Sequence, residues 1–583
     1  MPRLFSILFV IALLIACPAA QAQKWLWARE AGCGANQGGT KGWLTKTDQN
    51  DNVYMAGYYS GDSVCFGSSV YYNPVNPHNN IHTILVKYDS AGNLLWSRAS
   101  SNGQSRPISM ATDALGNVLV FGFFTTQTIN FGTLLLTNPA FDTLHPAFDT
   151  CFYVVKYNPS GNLVWARNGS SNIRPNGDFL HPGGIGTDAA GNVYIASTYT
   201  RPYIVIGPDT LYNQGSASGT DDMFVARYDS AGTLIWAKSF GGLKDDYLTD
   251  LAVGTDGKIY IAGYYTSGFV RFGSNTIYSS SQNAFLACLD NNGNPLWAKS
   301  SGNTATAKAL ATDNNNHIYL SGGFTSSVQF GSNTLQSPFG GFYLYRFNDS
   351  GTVLGAIGVY PTAGYAACCT SLGIVADNCN NIWISAIGDV LTSIQLNSAT
   401  IIHPPAGSVD PMFFAGFSPS GSLVGSAYLP SGAGYNTGLA NTGFSADAKG
   451  DVYLCGDFRA IDPFVLGADT LHNHNGEAST MFLAKYQPVA TCDTSVNPVY
   501  PDVPVITIYP NPASYSCTLN YLGNIGAGAM VAIRDISGRE LSIYPITGIK
   551  TELPLAGLGN GIYMCVIKIQ GRASYTIKLV VLK

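Results

Sequence analysis

Charge is scarce in this chain: charged side chains make up 11% of 583 residues, 30 Lys and Arg against 35 Asp and Glu. The net charge of −5 and the lack of any basic run argue against a nucleic-acid partner. Glutamate is nearly missing, with only Glu30 and Glu477 between residues 23 and 488. That weakens any reading as a glycosidase, which sets two carboxyl groups across one bond, although aspartate can serve. After the first 22 residues no apolar run is long enough to cross a bilayer, so the mature chain is expected to lack a transmembrane anchor. The 12 cysteines are sparse and form no CxxC pair, which excludes a cysteine framework and a zinc ribbon. Cys368, Cys369 and Cys379 cluster locally and read as a disulfide in preference to a metal site. There is no Gly-x-Ser-x-Gly elbow and no phosphate-binding loop. Amphipathic helices of useful length are absent too, which excludes a βα barrel.

What is present points to strands and turns. The chain holds 65 Gly, 34 Tyr and 28 Phe, and 46% of it is apolar, too much for a disordered protein. Arg3 and the apolar stretch Leu4 to Ala16 read as a signal peptide over 1–22, with Ala20-Gln21-Ala22 as a small-x-small cleavage site. Leu14-Ile15-Ala16-Cys17 offers a lipoprotein signal as the alternative, disfavoured by Pro18.

Two motifs recur through residues 24–488. The first, Asp-x-x-Gly-Asn-Val-Tyr with degenerate positions, occupies Asp48–Tyr54, Asp113–Leu119, Asp188–Tyr194, Gly254–Tyr260, Asp313–Tyr319, Asp377–Trp383 and Asp447–Tyr453. Its Val/Ile positions are 65, 75, 66, 59, 64 and 70 residues apart, which makes seven units with insertions. The second is strand, turn and strand, as in Val155-Lys-Tyr-Asn-Pro-Ser-Gly-Asn-Leu-Val-Trp165, with copies ending at Trp96, Trp236 and Trp297 and degenerate ones at Gly355 and Gly425. In each turn an Asx side chain caps the backbone and Gly takes the positive φ. A third element, Phe66-Gly67, Phe131-Gly132, Phe272-Gly273 and Phe330-Gly331, predicts a hairpin. About four strands per unit are too few to bury both faces of a sheet, and radial packing of such sheets solves that. The chain is thus expected to be all-β, with a seven-bladed β-propeller over 23–488.

The seventh unit lacks its Trp-bearing last strand, while Trp27-Ala28-Arg29 near the N-terminus repeats Trp165-Ala166-Arg167. The N-terminal strand is therefore expected to complete the last blade and close the ring, removing two unpaired edges. Burial of Trp27 would contribute roughly 4–6 kcal/mol gross.

The repeats resemble a bacterial β-propeller repeat family in which Asp-x-x-Gly-Asn-x-Tyr-Val alternates with Lys-Tyr-x-x-x-Gly-Asn-x-x-Trp. That resemblance spans nearly all of 24–488 and implies no reaction. Blade six is its weakest match, with Asn380 in place of Gly.

Pro498, Pro501 and Pro504 mark a linker over 489–505. Beyond it, short alternating strands separated by Gly and Pro turns suggest a small Ig-like β-sandwich at 506–583. Its motifs are Tyr509-Pro510-Asn511-Pro512, the Gly538-Arg539 turn, Gly561-Ile562-Tyr563, and a last strand bearing Lys578 and Lys583. Together they resemble the type A C-terminal sorting domain of the type IX secretion system. The resemblance implies recognition by that secretion machinery, release or surface attachment outside the outer membrane, and a Bacteroidota-type host.

Candidate chemistry is thin. The recurring aspartates Asp48, Asp113, Asp188, Asp313, Asp377 and Asp447 read as structural Asx turns before a ring of carboxylates. His472 and His474 share a strand face without a third ligand and read as loop histidines. The segments Asp290-Asn-Asn-Gly-Asn and Asp313-Asn-Asn-Asn lack the regular acidic ladder of a calcium loop and read as turns. The doublets Tyr58-Tyr59, Phe123-Phe124, Thr198-Tyr199 and Tyr264-Tyr265 are expected to pack between blades, with a sugar-stacking platform as the alternative. No catalytic residue, metal or cofactor is assigned. The leading expectation is a non-enzymatic scaffold for adhesion to an extracellular glycan or protein. The competing one is a secreted polysaccharide hydrolase or lyase, its site built from insertions such as 138–150 and 171–184.

Overall fold

The computed structural model describes residues 24–31, 39–73, 80–138, 150–169, 183–200, 202–215, 220–361, 370–387, 394–396, 401–402, 412–429, 443–458, 463–473, 479–488, 505–509, 511–522, 529–546, 550–568 and 575–583. The signal peptide, Cys368, Cys369, His474, Pro510, nearly all of the linker and most of the two insertions lie outside them. Every regular element among the described residues is a β-strand.

The first sheet shows how a unit is made. Thr40–Thr47, Val53–Tyr59, His82–Tyr88 and Leu94–Ser101 run antiparallel, each bonded to the next. The two middle strands are buried at every position, and the outer strand alternates as a half-exposed edge does. Alternating Val, Ile, Tyr and Phe form these strands because both faces meet another sheet. The Phe-Gly elements form the expected hairpins, such as Ser63–Phe66 with Ser69–Tyr72, turning at Gly67 with φ +57°.

The same meander recurs along the chain. At one point two units share a strand. Pro295–Thr312 pairs through its first part with Asn283–Leu289 and through its second part with Ile318–Phe324. The last sheet comprises Phe444–Ala446, Val452–Phe458 and Thr480–Gln487, and its fourth strand is Lys24–Glu30. Core clusters lie between consecutive sheets. One joins Tyr54, Leu85 and Met110, of the first and second. Another joins Trp27, Tyr453 and Leu483 of the last sheet to Val53, Ile84 and Tyr88 of the first.

Residues 505–583 form a separate pair of sheets. Val505–Tyr509, Ser516–Leu522 and Lys550–Pro554 make one; Glu540–Pro545, Met530–Arg534, Gly561–Lys568 and Tyr575–Val581 make the other. Leu519, Val531, Leu553, Cys565 and Leu579 share the core between them.

Candidate functional site

The first set of candidate residues lies at the meeting of the two ends of the repeat region. Lys24–Glu30 pairs antiparallel with Thr480–Gln487, placing Arg29 beside Leu483. Trp27 then reaches the first sheet, where its Nε1–H donates to Ser90 O at 3.0 Å and Arg29 Nε–H donates to Gly92 O at 2.9 Å. Trp96 and Arg98 make the same two bonds to Pro159 O and Gly161 O, as Trp165 and Arg167 do to Ser230 O and Gly232 O. The main-chain N–H of Ala28 donates to Asp469 Oδ2 at 2.7 Å.

The recurring aspartates sit in Asx turns. Asp48 Oδ1 accepts the N–H groups of Asn50 and Asn52, and Asp113, Asp188, Asp313, Asp377 and Asp447 accept equivalent pairs. The sequence reading missed what occupies the second oxygen. Lys87 Nζ lies 3.0 Å from Asp48 Oδ2, Lys156 Nζ 2.9 Å from Asp113 Oδ2, and Lys485 Nζ 2.9 Å from Asp447 Oδ2. All six side chains are buried. The lysine belongs to the second motif, so these three units are each tied by an internal ion pair. In the fourth sheet Gly254 stands at the aspartate position and Cys288 at the lysine position; both charges are missing together. These carboxylates are consumed inside the sheets.

At the axis, residues from all the innermost strands line one cavity of about 100 Å³, among them Lys46, Ser109, Ile185, Asp250, Lys308, Ile374 and Phe444. Asp250 Oδ1 accepts Leu251 N–H and Oδ2 accepts Leu310 N–H, each at 2.8 Å, tying two sheets together. Burial pushes its carboxyl up to about 6, opposed by those N–H groups and by Lys46. Burial pushes the Lys46 ammonium down, opposed by Asp250. Asp250 is the single carboxylate among the described lining residues.

Of the aromatic doublets, Tyr58, Tyr59, Phe123, Phe124, Tyr199 and Tyr265 are buried, while Tyr264 is half-buried with its ring 4.9 Å from that of Tyr247. The exposed aromatics are elsewhere. Tyr72, Tyr212 and Tyr278 are 73%, 69% and 73% exposed. Each ends the second strand of an outer hairpin, six residues beyond the residue that precedes the turn glycine (Phe66, Ile206 and Phe272). Tyr212 also faces Tyr203 across its hairpin, with ring centroids 6.2 Å apart. Phe-Gly was visible in the sequence as a hairpin signal; the tyrosine at its far end was not singled out.

Among the described residues no three His, Cys, Asp or Glu side chains gather into a metal cage. The main-chain N–H of His472 donates to the Glu30 carboxylate. Cys379 is disulfide-bonded, as is Cys65.

In the C-terminal sheets the motif residues join the first segment to the last. Asn511 Nδ2–H donates to Lys578 O and Asn511 Oδ1 accepts Val580 N–H, both at 2.8 Å. Tyr509 ends the first strand, and Pro512 leads into Ala513, which bridges to Val581. Gly538, with φ +88°, makes the turn in which Arg539 Nε lies 3.2 Å from Asp535 Oδ2. Gly561, Ile562 and Tyr563 open the strand that pairs with Tyr575–Val581, and Tyr563 Oη–H donates to Gly559 O. Lys583 Nζ–H donates to Ala556 O at 2.7 Å.

These two parts define a repeat β-propeller protein that ends in a small two-sheet domain. Residues 507–582 match the family described as secretion system C-terminal sorting domain. The protein is accordingly exported to the cell surface or secreted, and its C-terminal domain engages the type IX secretion machinery. Among the described residues no helix is long and apolar enough to cross a membrane.

An uncharacterized WD repeat-containing protein of Acanthamoeba polyphaga mimivirus is 23% identical over 343 residues, 48% of this chain and 24% of the relative. The regulatory protein FlaEY of Caulobacter vibrioides is 33% identical over 145 residues, 24% of this chain and 14% of the relative. The chain thus spans a quarter or less of these curated relatives. Among solved structures, a Dyadobacter fermentans protein of unknown function is similar with a TM-score of 0.34 at 11% identity, over 79% of this chain and 99% of that one. PorZ, a surface component of the type IX secretion system of Porphyromonas gingivalis, is similar with a TM-score of 0.17 at 13% identity, over 95% of this chain and all of that one (100%).

Proposed function

We propose that the protein is a secreted or surface-displayed, non-enzymatic adhesion scaffold that binds an extracellular glycan or protein. Its body is a seven-bladed β-propeller over 23–488, closed by the Lys24–Glu30 strand. Removal of a signal peptide over 1–22 starts its export, a linker over 489–505 follows the propeller, and the sorting domain covers 506–583, in a Bacteroidota-type host. Ring closure is supported by the core shared between the last and first sheets and by the Trp27 and Arg29 bonds to the first sheet.

The observation that carries binding is the repeated display of Tyr72, Tyr212 and Tyr278 at one hairpin position in separate sheets. Rings held far out on short rigid hairpins cost little ordering entropy and stack on sugar faces or apolar side chains. Spaced copies multiply weak contacts into avidity for an extended partner. The test is retention of the purified chain on a panel of polysaccharides and matrix proteins. The triple variant Tyr72→Ala, Tyr212→Ala, Tyr278→Ala should lose about tenfold or more in affinity with an unchanged melting temperature. Undiminished retention would overturn the reading.

A polysaccharide hydrolase or lyase is the second reading, favoured by the axial cavity in which burial lowers the Lys46 ammonium beside Asp250. New reducing ends or unsaturated products from the same panel, lost in Lys46→Ala, would establish it.

A further inference from the structure

Two buried aspartates break the repeat where the third sheet meets the fourth. At four seams among the described residues an innermost strand donates an N–H to the carbonyl just before the neighbouring sheet's third strand. Ser105 does so to Ile81, Ala305 to Gln282, Thr40 to Ser479 and Asp246 to Asp221. The residue that opens the third strand and the residue that donates are His82 and Ser105 at the first seam, Asn283 and Ala305 at the fourth, and Thr480 and Thr40 at the last. At the third seam they are Asp222 and Asp246.

Both are fully buried, at 0% exposure. Asp222 Oδ2 accepts Gln214 N–H at 2.7 Å. Asp246 Oδ2 accepts Gly242 N–H at 2.6 Å and the Ser267 hydroxyl at 3.0 Å. The Oδ1 atom of each has no hydrogen-bond partner. The two carboxylates converge on Gly241–Gly242: a Cβ at Gly241 would fall 2.0 Å from Asp222 Oδ1, while Gly242 is held by Asp246. No lysine or arginine among the described residues pairs with either. Asp221 and Asp245 add further negative charge beside them, the N–H of Asp221 lying 3.3 Å from Asp245 Oδ1.

Two buried carboxylates that repel each other, each with an Oδ1 atom lacking a hydrogen-bond partner and neither with a counter-charge, are relieved by a proton or by a bound cation. The donors are hard oxygens with no imidazole or thiolate, which suits calcium and not zinc or copper. Main-chain oxygens and water would complete a coordination number that two carboxylates begin. The absence of side chains at Gly241 and Gly242 lets the Asp222 carboxylate and the Phe269 carbonyl oxygen pack against them.

We propose that Asp222 and Asp246 bind a calcium ion through their Oδ1 atoms, riveting the seam between the third and fourth sheets. The test compares thermal melts and calorimetric titrations of the purified full chain in EDTA, in millimolar Ca²⁺ and in millimolar Mg²⁺. Ca²⁺ should raise the melting temperature by about 3 °C, and Mg²⁺ by less. The variants Asp222→Asn and Asp246→Asn keep the shape and should abolish the calcium shift together with one calorimetric binding site. A wild-type chain whose melt is the same in EDTA and Ca²⁺ would overturn the proposal. So would a calcium shift that survives in the double variant.

Discussion

Trp27 Nε1–H donates to Ser90 O at 3.0 Å, across a seam whose two sides come from the last sheet and the first. Trp96 and Trp165 make the same bond at interior seams. One clasp therefore serves both a seam between neighbours in sequence and a seam between opposite ends of the repeats.

Replacing Trp27 by Ala removes that bond and the packing against Tyr88 and Tyr453. The expected cost is about 3–5 kcal/mol by denaturant titration. Deleting 24–30 should in addition expose the edge of Thr480–Gln487 and produce aggregates in light scattering. A deletion variant that melts like the parent and stays monomeric would rule out closure by this strand.

Lys156→Ala leaves the Asp113 carboxylate buried without its cation and should cost about 3–5 kcal/mol. The pair Lys156→Met with Asp113→Asn should recover most of that loss, because the chain itself does without both charges at Gly254 and Cys288. Urea unfolding of the three variants measures the coupling directly.

In the sorting domain, Asn511→Ala removes two hydrogen bonds to the last strand and should cost about 1–3 kcal/mol. Cells should then retain the protein instead of releasing or displaying it. Arg539 is 76% exposed and pairs with Asp535, so Arg539→Ala should leave domain stability within about 0.5 kcal/mol. A fall in export with this variant would mark Arg539 as a contact to the machinery. Fractionation of cells and medium gives the readout.

Stability in EDTA should depend on pH through Asp222 and Asp246. Burial pushes their carboxyls up to about 7 and about 8, helped by Asp221 for the first and Asp222 for the second. Folded-state values above the unfolded ones mean that the folded chain binds more protons in this range. Stability is then full below the ordinary carboxylate range and is lost as pH rises through 7 and 8. Melting temperatures in EDTA should fall by a few degrees between pH 6 and pH 8.5. The slope should flatten in the double asparagine variant.

The repeat was legible because each unit had to spell out the same turns: Asp, Gly and Asn recur where positive φ and Asx capping are required. The Asp113–Lys156 pair was not legible. Asp113 lies in the turn after Thr112 and Lys156 on a later strand, and only the register that sets Leu119 opposite Lys156 brings them together. Sequence spacing gives the face of a strand a residue occupies, not the strand it meets. The same limit hid Asp222 and Asp246, which belong to no recurring motif and meet only across the seam. Tyr72, Tyr212 and Tyr278 were hidden differently. In a chain with 34 tyrosines many strands carry one, and periodicity does not distinguish a buried ring from one at a hairpin tip.

Pro295–Thr312 passes from one sheet to the next without a turn. Among the described residues, the first and second sheets are joined through 102–104 and the third and fourth through 241–245, outside any strand, where the chain can hinge under load. Here the two sheets are spliced by a continuous strut, so they cannot tilt apart without stretching or breaking backbone pairing in both. For a protein working outside the cell and subject to drag, the fourth and fifth units form the stiff part. Mechanical unravelling should start in the other units, leaving that pair as the last folded fragment.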